Sequence, residues 1–211
     1  NNKNLEIIST AKKYNIPVFM ECLGSRFSKN YANIISSYEF ILDYDSIEPD
    51  LILRFGSKPI SNTLNKFLDT KKDITYLITE KVFNDDAKNI IECKPSIFLA
   101  DFNKLKFKYN IIWLNSFIVK QDKIKKYIDN FFRIPREHEG YIINKIISIL
   151  PLNSNLMIGN SSPIRDLDKF TFNNNLKINV FSNRGASGID GLISTAIGLS
   201  INKRKHNFLI L

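Results

Sequence analysis

The 211-residue sequence has only two cysteines, two histidines and one tryptophan, and each scarcity narrows what the chain can be. Cys22 and Cys93 stand far apart, without metal-ligand spacing and without the pattern of a disulfide framework. Free thiols of this kind suit a reducing compartment, and the expected location is cytoplasmic. His138 and His206 are equally isolated, and His138, within Arg136-Glu137-His138-Glu139, reads as a solvated helix start rather than a ligand. No apolar run reaches the roughly 20 residues of a membrane-spanning helix, and no signal peptide is visible, which argues against stable membrane insertion. A GxGxxG dinucleotide fingerprint is also missing.

Positive charge is what the chain has in excess. Its 30 Lys and Arg outnumber 21 Asp and Glu, for a formal net charge of +9. The lysines are dispersed rather than clustered with aromatics, so the charge favours small anionic ligands by steering more than it favours nucleic acid.

The most informative stretch runs from Asn179 to Gly191, N-V-F-S-N-R-G-A-S-G-I-D-G. An apolar strand over 178–181 enters a turn dense in glycine and serine, and a helix opens near Asp190. Strand, glycine turn and helix start together bring backbone N–H groups towards an anion. Arg184 sits at the strand's exit, the edge at which open α/β sheets bind ligands, and its guanidinium suits a carboxylate or phosphate. The alternative is a purely structural turn, whose glycines let helix and sheet pack closely.

A second strand-to-helix turn precedes it by about one βαβ unit. The strand over 155–159 leads into Asn160-Ser161-Ser162-Pro163-Ile164-Arg165-Asp166-Leu167-Asp168. Asn160 and Ser161 can hydrogen-bond at this turn, and Arg165 lies in the first helical turn. Ser161 and Ser162 read equally well as helix caps. Asp166 and Asp168 are possible acid–base groups, or favourable charges near a helix start.

The preceding residues alternate in the same way. A helix over 5–14 precedes a short strand over 17–20, ending in the polar loop Glu21 to Arg26. A second amphipathic segment spans 31–41. A strand over 50–56 ends at a glycine, and Ser61 caps a helix over 62–68. Further strands are expected at 73–79, 90–93 and 96–99. A long helix over 110–132 presents Trp113, Phe117, Ile124, Ile128 and Phe131 on one face, and another helix spans 137–150. This order predicts an α/β fold with parallel sheets flanked by helices. Arg133-Ile134-Pro135-Arg136 marks a boundary between units 1–133 and 134–211. Arg54 and Lys58 flank a strand exit, where they can bind an anion, even a regulatory one, or simply remain surface charges.

Both turns, from Gly159 to Asp168 and from Ser182 to Gly191, followed by Ser194-Thr195-Ala196, resemble the 2-succinyl-5-enolpyruvyl-6-hydroxy-3-cyclohexene-1-carboxylate synthases. These are thiamine-diphosphate enzymes of menaquinone and phylloquinone biosynthesis. Residues 49–61 resemble the middle domain of the same family. The resemblance implies a three-domain polypeptide, with residues 1–133 in the middle domain and 134–211 opening the pyrophosphate-binding domain. It implies a transferase of aldehyde or ketone residues that decarboxylates 2-oxoglutarate and adds the succinyl unit to isochorismate.

Thiamine diphosphate and Mg²⁺ or Mn²⁺ are the implied cofactors, and a homodimer or homotetramer the implied assembly. By position, Arg165 and Arg184 resemble the arginines that bind carboxylates during the reaction. Asn160 and Ser161 resemble the polar pair beside substrate and cofactor. Ser161, Ser187, Gly188 and Ile189 resemble cofactor-pocket residues, Ile189 being the apolar prop. No metal ligand is expected here, because the family's metal-binding Gly-Asp loop and activating glutamate have no counterpart in these residues. The ends of the sequence read as those of an interior fragment, expected to be inert alone. Two other readings remain: an acetolactate-synthase-like decarboxylase, and a non-catalytic α/β module that binds an anion or nucleotide.

Overall fold

The computed structural model describes residues 2–24, 31–82, 85–106, 110–172, 177–185, 187–201 and 206–211. Ser25 and Arg26 of the first polar loop, and Ala186 of the glycine turn, lie outside the described residues. The chain forms three small, wholly parallel sheets flanked by helices, as the alternating order predicts. Parallel neighbours require crossover connections, and here helices provide most of them.

In the first sheet β1 (Val18–Phe19) pairs with β2 (Ile34–Ile35), after helix α1 (Asn2–Lys13). The amphipathic segment at 31–41 is therefore not one helix. Ile34 and Ile35 are fully buried strand residues, and helix α2 (Tyr38–Tyr44) starts only after Ser36 and Ser37. Gln121 holds this break: its side-chain oxygen accepts from the Ser36 N–H at 2.7 Å, and its amide donates to the Ile34 carbonyl at 3.2 Å.

The second sheet has the order β3 (Ile52–Phe55), β4 (Thr75–Thr79), β5 (Asn89–Glu92). Helix α3 (Asn62–Thr70) connects β3 to β4, and Ser61 caps it as expected, its Oγ accepting from Leu64 N–H at 3.1 Å. Residues 96–99, expected as a strand, lie instead in helix α4 (Pro95–Phe102). Pro95 stands in its first turn, where a missing N–H costs nothing, and the short apolar run Ile97-Phe98-Leu99 cannot distinguish strand from helix. Arg54 forms an ion pair with Asp85, and Lys58 pairs with Asp86 at 3.1 Å. These carboxylates meet the two cations, so the reading of this strand exit as an anion site is replaced by one of internal pairing.

The long helix α5 (Ile111–Phe131) begins at Asn110, whose side chain accepts from the N–H groups of Ile112 and Trp113. Phe117 and Ile128 are buried, but Trp113 and Phe131 sit at the edge of the buried stripe, 36% and 37% exposed; Leu114 takes the inner position. Helix α6 (Glu139–Ile149) starts at His138, whose Nδ1 accepts from Gly140 N–H at 2.9 Å, and ends before Pro151.

The third sheet positions the two turns. Its order is β7 (Asn179–Phe181), β6 (Asn155–Ile158), β8 (Asn207–Ile210), with β6 fully buried in the middle. Three asparagines in register cross the sheet where its strands begin. Asn179 donates to Asn155, and Asn155 donates to Asn207, each at 2.9 Å. A one-residue slip would break this ladder and turn the apolar face outward. Helix α7 (Ser162–Phe170) follows β6, and helix α8 (Leu192–Ser200) follows β7. One core cluster joins Leu156 and Ile158 of β6 to Ile164 and Leu167 of α7, Ile143 and Ile147 of α6, and to Cys22 and Ile60 from the first half of the chain. Packing is thus continuous across residue 133. Among the described residues no helix is long and apolar enough to cross a membrane.

Candidate functional site at the exits of two parallel strands

β6 and β7 are hydrogen-bonded neighbours, so their C-terminal ends deliver both turns to the same edge of the sheet. Asn160, one residue beyond Gly159, is buried and joins them. Its amide donates to the Gly188 carbonyl at 2.7 Å and the Asn183 carbonyl at 3.2 Å, and its oxygen accepts from Ser182 Oγ at 3.0 Å. All three partners lie in the glycine turn around Arg184. Expected as a ligand-facing donor, Asn160 has its amide donors engaged in holding the second turn against the first.

Ser161 follows at φ 72°, ψ −128°, a conformation that side-chain-bearing residues adopt only when their surroundings impose it. Its hydroxyl does not cap α7. Instead it accepts from Arg165 Nη2 at 3.2 Å, one turn further along the helix. Cap and ligand readings of Ser161 are therefore separated: the hydroxyl orients a guanidinium. Asp166 and Asp168 differ in character. Asp168 is buried, accepting from the Cys22 N–H at 2.6 Å and from the Tyr38 hydroxyl, so it fastens α7 to the first half of the chain. That buried tie replaces its reading as an acid–base group. Burial, and then a hydrogen bond with Glu139, raise the Asp166 carboxyl above its ordinary range.

In the second turn Arg184 is half-buried, and Ser187, at φ 53°, donates its hydroxyl to the Arg184 carbonyl at 3.3 Å. Gly191, at φ 76°, precedes α8, which has no side-chain cap among the described residues. A Cβ added to Gly185 or Gly188 would meet nothing within 4 Å. Close helix–sheet packing therefore does not account for these two glycines; they border open space at the sheet's edge. Ile189 stands beside them, 73% exposed.

Sequence reasoning passed over Glu21, directly after the loop entry that follows β1. The N–H groups of Ile60 and Ser61, at the start of α3, both donate to its Oε1, the latter at 3.1 Å. Burial, and next the Asp168 carboxylate, push the Glu21 carboxyl up to about 7, against the opposing pull of those two N–H groups and of the Arg184 charge. Burial also raises the neighbouring Glu39 carboxyl. A polar residue at a strand exit was the available signal; nothing local reveals that distant segments close over it. Among the described residues, no group of three or more His, Cys, Asp or Glu is arranged to hold a metal ion.

No protein-family model matches the chain. Curated relatives do. The chain is 31% identical over 209 residues to the 2-succinyl-5-enolpyruvyl-6-hydroxy-3-cyclohexene-1-carboxylate synthase of Bacillus cytotoxicus, an alignment covering 93% of this chain and 36% of that protein. The synthase of the same name from Listeria welshimeri is 29% identical, with 92% and 36% covered. That of Roseiflexus sp. is 30% identical, with 85% and 32% covered. The resemblance seen in the two turns thus extends over nearly the whole chain, which is homologous to part of these synthases and spans about 36% of the length of the first two.

Proposed function

We propose that this chain, homologous to part of those synthases, is a segment of a thiamine-diphosphate-dependent carboligase that decarboxylates 2-oxoglutarate and joins the succinyl unit to isochorismate in menaquinone or phylloquinone biosynthesis. In this reading residues 1–133 belong to a middle domain and 134–211 open the pyrophosphate-binding domain. The whole enzyme is a cytoplasmic homodimer or homotetramer. The observation that carries the proposal is the Asn160 bridge, which fixes the Arg184 turn against the strand exit that also supplies Arg165.

Both proposed substrates carry carboxylates. A guanidinium recognises a carboxylate through two parallel, charge-assisted hydrogen bonds, and Ser161 steadies Arg165 for that geometry. Arg165 stands in α7 just behind the β6 exit, and Arg184 in the turn that Asn160 ties to that exit, so little ordering remains to be done when substrate arrives. Positive charge at this edge also offsets the substrates' negative charge as they approach each other.

The residues present fit one side of a cofactor pocket. Gly185 and Gly188 leave open space where side chains would stand, and Ile189 offers an apolar surface beside them. Ser161, Ser187, Gly188 and Ile189 would line the thiamine diphosphate. When bound, that cofactor supplies the electron sink needed to decarboxylate a 2-oxo acid. Its Mg²⁺ or Mn²⁺ would be held by residues outside this chain. The test is turnover by the complete polypeptide with both substrates, compared with its Arg165→Ala and Arg184→Ala variants; variants as active as the parent would refute the assignment.

A further inference from the structure

Helix α7 carries Arg165 and, one turn further along, Asp168. Asp168 is only 2% exposed, and both of its oxygens are held by the first half of the chain. Oδ1 accepts from the Cys22 N–H at 2.6 Å, and Oδ2 accepts from the Tyr38 hydroxyl. Tyr38 is itself fully buried. Its ring stacks on Phe19 of β1 with centroids 5.6 Å apart, and Phe19 meets Phe117 of α5 edge-on at 5.7 Å. Gln121, by holding Ser36 and Ser37 out of α2, sets where Tyr38 begins that helix. The 3-10 turn Cys22–Gly24 packs on α7, and Lys169 pairs with Glu39 and Asp43 of α2 at 3.8 and 3.6 Å. At the start of α7, the Ser161 hydroxyl accepts from Arg165 out of a backbone at φ 72°.

We propose that Asp168 is a positioning residue for Arg165: through Cys22 and Tyr38 it registers α7 on the core of the first unit, and so fixes where the guanidinium meets a substrate carboxylate. The inference rests on the reading of Arg165 as a carboxylate-binding residue. Ile164 and Leu167 pack in one cluster with Cys22, but apolar packing is non-directional and lets a helix slide or turn slightly. Two hydrogen bonds to one buried carboxylate are directional and remove that freedom. A residue as strained as Ser161 also persists only where its surroundings over-determine it, and the Asp168 tie restrains the same helix one turn beyond Arg165. The first unit thereby takes a part in binding: the Phe117–Phe19–Tyr38 stack is the reference against which an arginine of the second unit is placed.

The experiment is steady-state kinetics and thermal melting of the complete polypeptide and four variants: Tyr38→Phe, Asp168→Asn, Arg165→Ala, and Tyr38→Phe combined with Arg165→Ala. Tyr38→Phe keeps the ring in its stack and removes the donor. It should raise KM for a carboxylate substrate roughly three- to ten-fold, with kcat changed less than about two-fold. Asp168→Asn keeps both contacts, its oxygen accepting from Cys22 N–H and its amide donating to the Tyr38 oxygen, so KM should stay within about two-fold of the parent. In the Arg165→Ala background Tyr38→Phe should raise KM no further, because the group it places is gone. A merely structural tie would lower the melting temperature of Tyr38→Phe at parental KM, or raise KM equally in both backgrounds. Either result overturns the proposal and leaves the reading of Arg165 standing. An Asp168→Asn variant with a KM as high as that of Tyr38→Phe would show that charge acts rather than the tie, and overturns it too. A parental KM in Arg165→Ala removes the reading of that arginine, and the proposal falls with it.

Discussion

Asn160 donates to the carbonyl of Gly188 at 2.7 Å, across 28 residues of sequence, and with that bond the exit of β6 holds the turn that follows β7. The same amide reaches Asn183, and the same side chain accepts from Ser182. A buried side chain with three polar partners is costly to remove. Asn160→Ala should lower stability by about 1–3 kcal/mol, read as a shift in urea midpoint. Asn160→Asp should do more harm, because its carboxylate would face two carbonyls it cannot donate to. Either variant should also weaken 2-oxoglutarate binding. Unchanged stability and binding in both would mean that the turns are fixed by something else.

Arg165 and Arg184 should be separable by chemistry as well as by removal. Replacing either by Ala should raise KM for a carboxylate substrate by roughly 10- to 100-fold, the loss of about 1.5–3 kcal/mol of charge-assisted hydrogen bonding. Lysine keeps the charge but not the planar fork, so Arg→Lys should rescue only part of this. Steady-state kinetics with each substrate varied in turn is the check. A full rescue by lysine would show that charge alone matters.

Glu21 should leave a mark on stability against pH. Its folded-state carboxyl is raised from 4.5 to about 7, so the folded protein holds the proton more tightly than the unfolded chain. The corresponding stabilisation is complete below about pH 4.5 and is lost as pH rises through about 7. Glu21→Gln should therefore gain stability relative to the parent between pH 4.5 and pH 8, by at most about 3 kcal/mol. Denaturant titrations of both proteins at several pH values test the sign directly. A parent-minus-variant difference independent of pH would contradict it.

Gly140 tests the packing that supports the site from behind. A Cβ there would clash with the Phe170 ring, where α6 crosses α7. Phe170 has little freedom to move, since its ring packs against His138, Phe132 and Phe40. Gly140→Ala should cost about 1–3 kcal/mol despite alanine's better helix propensity. A neutral or stabilising effect in thermal melts would show that the helices can separate at little expense.

The alternation of strands and helices was legible because each parallel strand is a short apolar run followed by a glycine or polar exit. Segment 96–99 misled because a serine and three apolar residues after a proline fit a strand and a helix start equally. The break in 31–41 was hidden for a different reason: Gln121, 85 residues away, holds Ser36 out of the helix. Local pattern carried Arg165, Arg184 and their turns. It did not carry the partners, since Asn160 reaches across one βαβ unit and Asp168 across most of the chain. Arg54 and Lys58 illustrate the same limit. Their charges were visible, but the aspartates that pair with them come from beyond the next strand.

The central claim is that these two strand exits serve a carboligation with two carboxylate substrates. The most direct measurement is CO₂ release from 2-oxoglutarate by the complete polypeptide, with thiamine diphosphate and Mg²⁺, in the presence and absence of isochorismate. Release should depend on isochorismate, with stoichiometric formation of the succinylated product, and both should fall at subsaturating substrate in Arg184→Ala. Release indifferent to isochorismate, or no reaction from an intact, folded enzyme, would contradict it.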